Sequence, residues 1–348
     1  MKIPKTTEAA ILFETGKELV ITTVQIPKLK NGQVLVKLAF SGLCHTQLLE
    51  ARGDKGKDNY LPHTMGHEGA GMVIQVSEGV IKVKPGDHVV LSWIKGSGAE
   101  VPSTQYVSKE GIINSGAIST FMPYAVISEN RLAPIPETMP LREAALLGCA
   151  IPTGVGMVFN TSGIRPGSRL AVFGVGGVGM SAIHAAGILN ASVIIAVDIQ
   201  EHKLEMAKHF GATHVIHADK EDVLACILKI TNQTGVDCAI ESAGIVHVME
   251  TAFKATRKNG GICILAGNLP LGQDISINPF DLIQGKKIIG TWGGETQIDQ
   301  DIPLYVNLYL SGKLNLSDLI THEYSLCQIN NALLDLEDGK VGRALIKM

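Results

Sequence analysis

Two groups of residues in this chain have types and spacings that could do chemistry. The first is the run Gly174-Val175-Gly176-Gly177-Val178-Gly179, which follows the apolar stretch RLAVF and opens a helix-forming segment. A glycine loop in that setting holds a pyrophosphate, because the following helix offers free backbone N–H groups and the positive end of its dipole. Gly174 makes the tight turn, Gly176 lets backbone approach the phosphates, and Gly179 lets helix pack on strand. Gly177 and Val178 supply N–H groups within the same loop. Asp198 ends the next apolar run, 19 residues beyond Gly179. A carboxylate there accepts hydrogen bonds from ribose hydroxyls and repels a 2′-phosphate, which predicts NAD rather than NADP. Its alternative role is to cap a helix.

The second group is Cys44-His45-Thr46, Gly66-His67-Glu68-Gly69 and Cys149. Two thiols and an imidazole form a borderline-soft set suited to tetrahedral zinc, with a fourth position open to water or substrate. Spacing alone does not separate this reading from ordinary burial, since Cys is often a small core residue. Cys226, Cys238, Cys263 and Cys327 are scattered through the chain and are expected to pack rather than to form disulfides. His202, His209, His214 and His217 are expected at solvated ends of elements around the nucleotide site.

These groups need elements to hold them. The first 150 residues read as short β runs, among them QVLVKLAF at 33–40, GAGMVIQV at 69–76 and DHVVLS at 87–92. Turns such as KPGDHV separate them, so an irregular, mostly antiparallel β domain is expected. Residues 94–120 are rich in Ser and Gly and read as a long surface excursion. From about 168 the pattern alternates between continuous apolar runs and helical segments: RLAVF, SVIIAVD, HVIHA, VDCAIE and GICILAG. Strands covered on both faces by crossover helices have that character, so a doubly wound parallel sheet is expected, an α/β fold. The stretch after about 295, ending in RALIKM, could rejoin the β domain.

Composition narrows the function classes. The chain has 348 residues, 45% hydrophobic and 18% charged, enough for two domains with packed cores. A net charge of −3 and 5% aromatics argue against nucleic acid or an acidic membrane surface as partner. The N-terminus carries charges rather than an apolar leader, and a reducing cytoplasm is the expected setting.

GLCHTQ, GHEGAGMV, KPGDHV, LGCAIPTG, VFGVGGVG with Asp198, and GTWGG stand in this order. In that order they resemble the zinc-dependent medium-chain alcohol dehydrogenases over nearly the whole chain. The resemblance implies a GroES-like catalytic domain split between about 1–150 and 293–348 around a Rossmann domain at 151–292. It implies one catalytic zinc per chain on Cys44, His67 and Cys149, with Glu68 beside the metal and Thr46 taking the substrate's proton. It places Trp93 in the substrate pocket, where the alternative is a core aromatic, and Thr153 on the nicotinamide side. Lys203 is implied near the adenosine ribose, with a solvated helix lysine as the alternative, and Arg343 near the pyrophosphate. A homodimer or homotetramer acting on a small alcohol or carbonyl is expected.

Three departures from that pattern stand out. Residues 94–130 contain no Cys, and Gly98 stands where the first of four structural-zinc cysteines occurs in many relatives, so no structural zinc is expected. Gln47 replaces the aspartate that usually supports the ligand histidine. Leu49 stands where many relatives carry a histidine that passes the proton to solvent. His45 and His63 neighbour the metal motifs, but the matched ligand set is complete without them. The same fold also serves two rival functions: a metal-free quinone or enone reductase, which lacks the Cys/His/Cys set, and a non-catalytic nucleotide-binding protein.

Overall fold

The computed structural model describes residues 3–348, and the chain divides into two compact units. One comprises the residues up to Cys149 with Gln297–Gly312 and Leu316–Met348; the other comprises Ala150–Thr296 and Lys313–Asn315.

In the first unit, five strands close a small barrel in the order Thr6–Leu12, Val20–Gln25, Gln105–Ser108, Gly111–Asn114, His63–Thr64. A seven-stranded sheet is built around the long strand Gln33–Leu43, which pairs with Glu68–Val76, Tyr124–Ser128 and Ala344–Lys347. Alternation sets the facing of these strands: Val34, Val36 and Leu38 enter the core while Lys37 between them is exposed. The RALIKM ending supplies Ala344–Lys347, whose Leu345 lies opposite Gly42. This is the return of the C-terminus to the β unit.

The reading of residues 94–120 as a surface excursion needs correction. Gln105–Ser108 and Gly111–Asn114 form an antiparallel hairpin that takes part in closing the barrel. Tyr106 and Ile113 are fully buried in the core, and the Tyr106 hydroxyl accepts the Val126 N–H at 3.0 Å. The many Ser and Gly residues around the hairpin hide a strand pattern only four residues long on each side. The segment before it is held by carboxylates. Glu129, 1% exposed, accepts the backbone N–H groups of Ile81 and Lys82 at 2.6 Å and of Ala99 at 2.8 Å. Burial by itself would raise the Glu129 carboxyl, but these donors bring it below its ordinary value. Asp299 accepts the Ser97 N–H at 2.6 Å and pairs with Lys82.

The second unit carries a six-stranded parallel sheet in the order His214–His217, Val193–Asp198, Arg169–Phe173, Cys238–Glu241, Ile262–Leu265, Lys287–Gly290. Strand order reverses at Arg169–Phe173, which pairs with Val193–Asp198 on one side and Cys238–Glu241 on the other. A crevice at the carboxyl ends of such strands is where open α/β sheets bind ligands. Cys238 and Cys263 pack inside this sheet, and burial pushes the Cys263 thiol up to about 12. Cys226 is half-buried, whereas Cys327 is exposed beside Ser325, against the expectation that it packs. It lies on a short helical turn where no core element covers it. No single helix among the described residues is long and apolar enough to cross a membrane.

Candidate active site

Cys44 sits at the junction between strand Gln33–Leu43 and helix His45–Arg52. His67 follows Gly66, whose φ of +93° lies in the left-handed region that favours glycine; a Cβ there would sit 2.8 Å from Phe121 N. Cys149 follows a short helical turn, Ala145–Gly148, with a backbone conformation of its own. These three elements bring one donor atom from each of Cys44, His67 and Cys149 within 4.8 Å of one another. His67 Nε2 lies 3.2 Å from Cys149 Sγ. Two ligands at about 2.0 and 2.3 Å from one tetrahedral zinc would be roughly 3.6 Å apart, so the set fits the ion with a small adjustment. A hydrogen bond from Cys149, helped by His67 and the Arg343 guanidinium, holds the Cys44 thiol well below its ordinary value against the opposing effect of burial. Zinc requires its sulfur ligands deprotonated, and this environment favours that state at Cys44.

Gln47 bridges two members of the site. Its Oε1 accepts the Cys44 N–H at 2.8 Å, and its Nε2 lies on His67 Nδ1. When His67 Nε2 ligates a metal, the neutral ring carries its proton on Nδ1, which then requires an acceptor. An amide has one carbonyl for two N–H donors, and a flip only exchanges which donor faces the NH2 group. A carboxylate accepts both. Gln47→Glu is therefore expected to tighten zinc binding on the order of tenfold or more, the scale of such supporting contacts. Competition against a chelator measures it, and equal or weaker retention of zinc by the variant would refute this account of Gln47.

Glu68 is fully buried and ion-paired with Arg343, itself 5% exposed. Both charges are tolerable away from water because they occur together. Gly42 makes room for them, since a Cβ at that position would overlap the Glu68 carboxylate. Arg343, expected near the pyrophosphate, is engaged within its own unit by Glu68, and the Cys44 thiol also acts on it. Thr46 is half-buried on the first turn of helix His45–Arg52. Trp93 is half-buried, packs against the first unit's core, and accepts a hydrogen bond from Arg131 at its carbonyl. Packing of this kind is what the core-aromatic alternative describes.

In the glycine loop of the second unit, the glycines stand under different constraints. Gly174 has φ +81°, a turn that most side chains resist. A Cβ on Gly176 would meet no protein atom within 4 Å, whereas one on Gly179 would strike the Gly174 carbonyl. The helix Gly177–Ile188, which contains Val178, starts there. Asp198 has a task that spacing did not reveal: Oδ2 accepts the Val175 N–H at 2.9 Å and Oδ1 the Gln200 N–H at 3.0 Å. It locks the loop and the entry to helix Glu201–His209, and each oxygen keeps a further lone pair. Lys203 on that helix and Thr153 on helix Ala150–Gly156 are both half-buried.

Comparison with known proteins gives consistent matches. The family model for zinc-binding dehydrogenases matches residues 177–310, and that for the alcohol dehydrogenase GroES-like domain matches residues 30–137. An S-(hydroxymethyl)glutathione dehydrogenase from Synechocystis sp. is 34% identical over 97% of this chain and 98% of its own. The crystal structure of an alcohol dehydrogenase zinc-binding domain protein from Burkholderia ambifaria aligns over 99% of both chains, with 32% identity and a TM-score of 0.92. Benzyl alcohol dehydrogenase from Acinetobacter calcoaceticus aligns over 99% of this chain and 100% of its own, with 31% identity and a TM-score of 0.90.

Proposed function

Because this chain belongs to the zinc-dependent medium-chain alcohol dehydrogenases, acting on CH–OH groups, we propose that it oxidises an alcohol or polyol with NAD as acceptor. The observation that carries this reading is the convergence of Cys44, His67 and Cys149, three zinc-type donors that leave a fourth position for substrate oxygen. When bound, zinc would supply Lewis-acid stabilisation of an alcohol oxygen, and NAD would supply the hydride acceptor. The protein's own residues do the rest. Thr46 accepts the alcohol proton and passes it onward. Glu68 and Arg343 keep a buried charge pair beside the ligand cysteine, and Trp93 walls the substrate. Gly174, Gly176, Gly177, Val178 and Gly179 hold the pyrophosphate of NAD, and Asp198 and Lys203 its adenosine ribose; Thr153 lies toward the nicotinamide. The Cys44/His67/Cys149 set speaks against a metal-free reductase. A cytoplasmic homodimer or homotetramer is the assembly we propose.

Substrate class follows the relatives: benzyl alcohol and S-(hydroxymethyl)glutathione head the panel to be assayed by NADH formation, with diols and polyols after them. Activity with none of them, or full activity in metal-free protein, would reject the proposal. Cofactor choice is a separate expectation. Asp198→Ala should narrow the NAD over NADP preference by roughly tenfold or more, about 1.4 kcal/mol. The same variant should raise KM for both nucleotides, since the Val175 N–H loses its acceptor. A wild type that prefers NADP would overturn the assignment.

A further inference from the structure

Glu50, Asp58 and His63 lie in the same unit as the zinc ligands but share no residue with them. Glu50 is on the last turns of helix His45–Arg52, Asp58 is in the loop after it, and His63 is on strand His63–Thr64. One donor atom from each lies within 4.8 Å of the other two. His63 Nε2 is 2.8 Å from Asp58 Oδ2 and 3.8 Å from Glu50 Oε1. Donors at about 2.1 Å from one tetrahedral ion stand roughly 3.4 Å apart, between these two values.

Each of the three groups is held from behind by a different partner. His63, 5% exposed, has Nδ1 at 3.0 Å from the Thr64 carbonyl, which can only accept, so Nδ1 carries the proton. Nε2 faces the Asp58 and Glu50 carboxylates, so the space between them is filled by a proton on Nε2 or by a cation that all three ligate. An imidazole that donates its far N–H to a backbone carbonyl is the usual support of a metal-bound histidine. Asp58 Oδ1 accepts the Tyr60 N–H at 2.8 Å, leaving Oδ2 turned inward. Glu50 Oε2 lies 3.6 Å from Lys55 Nζ, leaving Oε1 turned inward. The three residues line a cavity of about 460 Å³ that also reaches Gln47 and His67, with room for waters to complete a coordination shell.

We propose that Glu50, Asp58 and His63 form a second, non-catalytic divalent-cation site. One imidazole and two carboxylates suit zinc, cobalt or manganese rather than a soft, thiolate-seeking ion. A cation there ties helix His45–Arg52, which carries Thr46 and Gln47, to the loop at 53–62. In a chain without the four-cysteine lobe, this is a metal staple at a different place.

The test is a titration of the metal-stripped, full-length protein with Zn²⁺ by calorimetry and with Co²⁺ by absorption. Wild type should take up two equivalents. Cys44→Ser/Cys149→Ser should keep one, without a sulfur-to-cobalt charge-transfer band. Glu50→Gln/Asp58→Asn, which preserves shape, should keep one equivalent with that band and retain alcohol oxidation. Its second equivalent should weaken beyond the roughly 10–100-fold that supporting contacts cost. One equivalent in wild type, none in the cysteine variant, or two undiminished in the carboxylate variant would overturn the site and leave a protonated His63 triad. Loss of the charge-transfer band from wild type would instead count against the catalytic zinc reading alone.

Discussion

Cys44→Ser is expected to lose the catalytic zinc and to lower kcat/KM for alcohol oxidation by at least about a thousandfold, roughly 4 kcal/mol. The surroundings of the Cys44 thiol favour its anion, with the hydrogen bond from Cys149 as the largest cause. A serine hydroxyl stays protonated near neutral pH and is a poor match for a borderline-soft ion. Folding should survive. The Cys44 N–H that bonds Gln47 is backbone and remains, and serine is a good residue to precede helix His45–Arg52. The Tm should therefore move by only a few degrees, since catalytic sites contribute less to folding than closed structural ones. Elemental analysis, steady-state kinetics and a thermal melt on the one variant separate these effects. Retained activity without the catalytic zinc would mean that the Cys/His/Cys set does not carry the reaction.

Leu49→His should restore a proton acceptor that this chain lacks. Leu49 is half-buried on helix His45–Arg52, one turn beyond the exposed His45 and three residues after Thr46. Without an imidazole there, the proposed route takes the alcohol proton from Thr46 to the nucleotide ribose and water. Wild-type oxidation should therefore be slow at neutral pH and rise toward alkaline pH. An introduced histidine accepts protons once it is neutral, above about pH 6.5. The variant should then run up to about 10²-fold faster between about pH 6.5 and 8, with little change near pH 10. That is the lower end of what general acid–base help provides, because a water chain already recovers part of it. The measurement is kcat against pH under saturating NAD. A wild-type profile flat from about pH 6 to 9 and unaltered by the substitution would show that proton removal does not limit the rate.

Much of this molecule follows from local pattern. The doubly wound sheet is legible because strands buried on both faces must be continuously apolar, as at Val193–Asp198 and Cys238–Glu241. The glycine loop is legible because a tight turn, an open backbone and a helix packed on a strand each exclude a side chain at a fixed offset, and Gly174, Gly176 and Gly179 meet those demands in turn. The Cys44, His67 and Cys149 cluster was legible only through the order of several motifs together, since Cys149 meets His67 from 82 residues away. Tertiary structure alone decided the rest. The hairpin that closes the barrel was hidden because its two four-residue strands are stabilised by burying Tyr106 and Ile113 against residues distant in sequence, not by any period of their own. Spacing read Asp198 as a nucleotide ligand, while the fold adds that it locks the loop at Val175. Gln47 was visible as a departure, but its two competing donors come from the Cys44 backbone and from the His67 ring, 20 residues away. His63 carried no motif, and only packing turned its ring toward Asp58 and Glu50. Periodicity encodes which face of an element is buried; which polar atoms then share a point in space depends on long-range contacts that no local spacing contains.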